Sequence, residues 1–254
     1  MRTSKHPRTT LMKNAGGLAL VLACSSAVAQ GVPPADAWQF EFIPYLWAAG
    51  VSSDLRFGLT PRSTTHVSSS SVLGDLDFGA MGTLEARKGP WGALLDMQYV
   101  KLGVSRQATF SAPLGLDVDY TQQFYTLAGL YRVLDSAVAI DVLAGGRYVS
   151  AKTDVNLAPN LPGPGLHDSI GFWNGIVGAR VIVPLNDKWS LLGYLDTGWG
   201  NSTSSWEGVA GASYQYSPTV SFKFGYRYLS FKRDEGLLSK VALGGFFAGA
   251  GFKF

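Results

Sequence analysis

The residues that could carry chemistry in this chain are scattered charges, each flanked by apolar neighbours. Glu41, Asp77, Glu85, Asp96, Asp141, Asp196 and Glu207 each sit on the polar side of an alternating segment. So do Arg87, Arg147, Arg180, Lys223 and Arg227. Mixed charges sharing one side of an extended chain need each other, because removing one partner leaves the other uncompensated. Two histidines, His66 and His167, lie outside the N-terminal segment, each within a polar connection. His167-Asp168-Ser169 holds the residue types of an acyl-transfer site. Adjacent residues of an extended chain point to opposite faces, however, so these three form no triad among themselves. Asp75 and Asp77, and likewise Asp117 and Asp119, place carboxylates on a shared face where a cation could bind or water could solvate them. The glycine clusters lack the strand–turn–helix setting of a phosphate loop and fit close strand packing instead. No cofactor and no resident metal are expected.

The elements that must position these charges are strands. Alternating segments recur from Trp38 to Phe254, and ten can be drawn. The ninth, Thr219 to Phe231, is the cleanest. There Val220, Phe222, Phe224, Tyr226 and Tyr228 oppose Ser221, Lys223, Gly225 and Arg227. On the first, Pro44 lacks an N–H and predicts an irregular ladder. On the fourth, Asp117, Asp119, Thr121 and Gln123 read as the polar face against Val118, Tyr120 and Phe124.

Connections alternate in length. Lys88 to Pro90, Leu134 to Ala137, Asn186-Asp187 and Ser217-Pro218 are short. Thr60 to Leu73, Arg106 to Gly115, Asn156 to Asp168 and Lys232 to Lys240 are long and polar. A transmembrane barrel predicts this alternation, with short periplasmic turns, longer outer loops and an even strand count. The expected fold is therefore all-β: one antiparallel up-and-down transmembrane barrel of about ten strands. Eight or twelve are the alternatives, depending on whether Ser52–Thr60 makes its own hairpin. Trp38, Trp91 and Trp189 fall near the periplasmic strand ends, as an aromatic girdle requires.

Residues 1–29 read as a secretory signal: a basic start (Arg2, Lys5, Arg8, Lys13), an apolar stretch and a small-residue site at Ala27-Val28-Ala29. Val21-Leu22-Ala23-Cys24 offers a competing lipidation site at Cys24. Residues 30–254 form the expected barrel domain. Four of the 21 basic residues and none of the 18 acids lie in the signal, leaving 17 against 18 and a net charge of −1. No nucleic-acid partner follows from that balance. The sole cysteine also leaves with the signal, so disulfide chemistry is not expected.

Several stretches carry a family resemblance. They are Phe42-Ile43-Pro44-Tyr45-Leu46-Trp47, Glu85 to Gly92, Trp173 to Arg180, Tyr194-Leu195-Asp196, Gly225-Tyr226-Arg227-Tyr228 and Gly251-Phe252-Lys253-Phe254. The chain resembles a family of Gram-negative outer-membrane β-barrel proteins without an assigned activity, similar in scale to the OmpA-like barrel. The ending resembles the strand signature read by the barrel-assembly machinery, with Phe252 and Phe254 at alternate positions. The resemblance implies an outer-membrane location and contact with lipid and lipopolysaccharide; it supplies no site residues and no oligomeric state. Three functional classes stand open. One is a structural or surface-interaction barrel whose charge-lined lumen is occluded. The second is a narrow pore for ions or small polar solutes. The third is an outer-leaflet enzyme that uses His66 or His167.

Overall fold

The computed structural model describes residues 37–55, 63–74, 76–110, 112–157, 166–200, 203–233 and 238–254. Within these, eleven strands and one short helix follow in order. They are β1 (Gln39–Leu55), β2 (Ser63–Val67), α1 (Ser69–Gly74), β3 (Leu76–Lys88), β4 (Trp91–Phe110), β5 (Ala112–Asp135) and β6 (Ala139–Leu157). Then come β7 (Leu166–Pro184), β8 (Trp189–Gly200), β9 (Thr203–Gln215), β10 (Val220–Arg233) and β11 (Leu238–Lys253).

From β3 to β11 each strand pairs antiparallel with the next, and β11 returns to β1. Closure runs from Glu41↔Lys253 to Leu55↔Leu238. Ten strands, all but β2, form the wall. Pairing of the first strand with the last closes the sheet, as a lipid-embedded wall requires, while β2 is paired on its β1 side alone.

The turns on one side are tight. At β3–β4 Gly89 takes φ 54°, a left-handed value that favours glycine. At β7–β8 Asn186 Oδ1 accepts from the backbone N–H of Lys188 and Trp189 at 2.9 Å each. The β1–β3 ladder stops at Pro44↔Gly82, where the missing proline N–H withholds the next donor. Farther along β1, residues 51–55 pair with β2 instead. The Thr60–Leu73 connection, read as a loop, thus contains β2 and all but the last residue of α1. Likewise Arg106 to Gly115 is no open loop: the β4–β5 ladder continues to Phe110↔Ala112.

Period two settles which side is out. Phe222, Phe224 and Tyr226 on β10 are exposed, as are Phe246, Phe252 and Phe254 on or just after β11. A wall that turns its aromatics outward and buries Asp96, Asp141, Arg147, Asp196 and Glu207 inside is inverted relative to a water-soluble barrel. Two aromatic belts bound the apolar exterior. On the turn side Trp91 packs on Tyr131 (4.7 Å between centroids) and Trp189 on Tyr214 (4.9 Å). On the far side Tyr148 packs on Trp173 (5.0 Å) and Trp206 on Tyr228 (4.8 Å). Trp189 and Trp199 open and nearly close β8. Their separation along a strand tilted by ~40° spans roughly 25 Å, the height of a membrane band.

Candidate functional site: the charged lumen

The inward positions build three polar groups. Nearest the tight turns, Lys223 Nζ reaches Glu41 at 2.8 Å and Ser221 Oγ donates to the same carboxylate. A second group joins β3, β5, β6 and β7. Arg180 donates to both oxygens of Glu85 at 2.6 and 2.8 Å, and to Asp141 at 2.7 Å. Arg87 and Arg132 also donate to Asp141, at 3.0 and 2.5 Å. Arg132 further reaches Asp135 at 2.9 Å. One buried carboxylate thus meets three guanidinium groups, whose excess charge Glu85 and Asp135 offset.

The third group crosses the middle of the barrel from β4 to β6. Arg227 donates to Asp96 at 2.8 Å and approaches Glu207 at 2.7 Å. Arg147 reaches Glu207 at 2.6 Å and grips both oxygens of Asp196 at 2.5 and 3.0 Å. Three acids face two bases here, so neutral donors complete the shell. Tyr45, Thr83 and Gln98 donate to Asp96, and Tyr194 donates to Asp196. Arg147 is 1 % exposed, which leaves no solvent to take over if one of these contacts is lost.

Above this layer the interior turns apolar. Trp47, Phe124, Val149, Leu229, Phe231 and Leu243 form one buried cluster. The Arg227 guanidinium lies 5.1 Å from the centroid of the Trp47 ring, joining the charged layer to the aromatic one. Below the layer lies a cavity of about 350 Å³.

Eleven of the twelve charges singled out in the sequence enter these three groups. Asp77 is the twelfth, and its side chain lies outside the described residues. Arg132 was missed, while Tyr45 and Tyr194 share the polar faces of Glu41 and Asp196 in the sequence but were not singled out, because they carry no charge. Arg132 follows the even-numbered inward face of β5, which the sequence reading placed outside. On that strand Gln122 and Phe124 point inward and are buried, while Thr121 and Gln123 face out. The reason is position along the barrel axis. Here β5 has passed the outer aromatic belt, so its outward face meets water, and Asp119 pairs there with Lys101 at 3.7 Å. The side chains of His66, His167, Asp168 and Asp117, and all of Asp75, lie outside the described residues.

The outward aromatics, two belts and inward charges decide the class. The chain is a transmembrane β-barrel. Its seat is the bacterial outer membrane, where single-chain barrels of even strand number reside. No family model matches the sequence, and no curated protein matches it. Among solved structures, the translocator domain of the autotransporter NalP from Neisseria meningitidis is 13 % identical. The match covers 86 % of this chain and 89 % of that one, with a TM-score of 0.46. The outer-membrane protease OmpT from Escherichia coli is 8 % identical over 89 % and 99 %, TM-score 0.45. The attachment invasion locus protein Ail of Yersinia pestis is 14 % identical over 86 % and 99 %, TM-score 0.36.

Proposed function

We propose that this outer-membrane barrel is a closed scaffold: its lumen conducts no solute, and its outer hairpins carry a structural or surface-interaction role. The observation that carries the reading is the apolar cluster of Trp47, Phe124, Leu229 and Phe231, stacked directly on the Arg147–Arg227 layer. A polar pore needs a continuous wet path. Here a hydrated solute would have to displace packed aromatics and then separate ion pairs that have no solvent to replace them. Barrels of about this size have interiors just wide enough for side chains to fill. The long β4–β5 hairpin extends well past the outer belt and offers the surface that such a role needs.

The test is conductance. Protein folded into planar bilayers, with insertion verified in parallel by its heat-dependent gel mobility, is expected to give no reproducible current steps at moderate voltage. Reproducible steps from the wild-type chain would overturn the closed reading in favour of a narrow pore.

A further inference from the structure

The cavity beneath the charged layer has the make-up of a ligand site. Its volume, about 350 Å³, falls within the ~300–1,000 Å³ typical of small-molecule pockets. Ile43, Leu94, Ile182, Leu192, Val209 and Phe247 supply apolar walls. The space exists because small residues interrupt the larger side chains on one side of the barrel. Gly211, Ser213, Ser221 and Gly249 line β9 to β11 there. The two glycines are dictated by close strand approach: a Cβ on Gly249 would sit 2.7 Å from the Pro44 carbonyl oxygen, and one on Gly211 2.8 Å from that of Phe224. The void is therefore built into the wall.

Hydrogen-bond capacity gives the sign of the ligand. Glu41, Glu85 and Asp96 already accept a hydrogen bond at both carboxylate oxygens, and Glu207 lies within ion-pair distance of both Arg147 and Arg227. Spare capacity lies with donors instead. Lys223 spends one contact on Glu41. Lys253, at the turn-side rim, meets the neutral Gln215 amide oxygen at 3.0 Å and no carboxylate among the described residues. Ser190 and Ser213 add hydroxyls at the same rim. A chamber with apolar walls, ion-paired charges deeper in and unspent cationic donors at its periplasmic mouth suits an amphipathic anion whose tail points toward Tyr45 and Leu192.

We infer that the periplasmic half of the lumen is a binding site for a small amphipathic monoanion of the medium-chain carboxylate class, entered from the periplasm with the carboxylate at Lys253 and Lys223. The inference goes beyond the closed-scaffold reading and does not depend on it, because the cavity lies on the periplasmic side of the charged layer.

Titration calorimetry of the full chain folded in lipid nanodiscs tests it, with octanoate as the probe. Saturable binding is expected, about tenfold or more tighter than for octyltrimethylammonium, which shares the tail but reverses the charge. Val209→Trp fills the chamber and is expected to abolish binding while keeping the heat-dependent mobility of a folded barrel. Should that variant fail to fold, Ser213→Phe at the rim replaces it. Lys253→Gln is expected to weaken octanoate several-fold and leave octanol unchanged. Uptake that does not saturate, equal uptake by wild type and the folded cavity-filled variant, or a preference for the cation would each overturn the assignment.

Discussion

At the scale of one residue, Arg147 has the least freedom to be replaced. It holds Asp196 through two nitrogens and Glu207 through one, and its side chain is almost wholly enclosed. Replacing it with methionine keeps most of the volume, leaves Asp196 without a cation and leaves Glu207 with Arg227 alone. Breaking a buried pair this way costs about 3–5 kcal/mol. Arg147→Met is therefore expected to lower the urea midpoint of the barrel in lipid vesicles by that equivalent. Arg147→Met combined with Asp196→Asn and Glu207→Gln is expected to regain most of it, since neutral groups of the same shape need no counter-charge. If the single variant unfolds like wild type, the layer is not the buried ion-pair group its distances describe. Arg132 marks where residue-level reading of the sequence stopped. It lies on β5, where polar Thr121 and Gln123 face out and Phe124 faces in, so polarity alone pointed to the wrong side.

At the scale of elements, the seam between the first and last strands decides whether a barrel exists. The backbones of Phe40 and Phe254 exchange two hydrogen bonds at its lower end, at 3.0 and 3.2 Å. Higher up, Gly245 faces inward opposite Ala49, and a Cβ there would collide with the backbone of Ala48 and Ala49. Gly245→Val has nowhere to place its side chain, because the obstacle is main chain rather than a mobile group. It is expected to abolish or sharply reduce the fraction of protein that shows heat-dependent gel mobility. Gly193→Val, where a Cβ would meet nothing within 4 Å, is the matched control and is expected to fold. A folded Gly245→Val barrel would show that the seam tolerates separation. This level of structure was the most legible in the sequence. The turns at Lys88–Pro90 and Asn186-Asp187, the interruption at Pro44 and the inward parity of most strands all follow from local chemistry. The extended β4–β5 hairpin was not legible, because its polar composition resembles a loop and only pairing with its partner makes it strand.

At the scale of the molecule, the face assignment makes a claim about the surrounding solvent that tryptophan can report. Six of the seven tryptophans are well exposed, from Trp189 at 38 % to Trp91 and Trp173 at 65 %, and they sit in or near the two belts. Trp47 alone is buried in the lumen, at 5 %, with its indole N–H bonded to the Gly245 carbonyl at 3.2 Å. In vesicles whose acyl chains carry bromine, a quencher that acts only at close range, most of the emission is expected to disappear. A variant that keeps Trp47 and replaces the other six with phenylalanine should emit and resist quenching, because the wall stands between its indole and the lipid. The two outcomes separate the two ways of closing an alternating sheet. A barrel with its aromatics turned inward would give the reverse pattern, with shielded bulk emission, and would move this protein from the membrane into water. Strong quenching with a shielded Trp47 requires both the lipid-facing belts and the filled interior. Quenching of Trp47 as well would mean that lipid reaches the lumen, most directly through the wall between β1 and β3, where the ladder stops at Pro44.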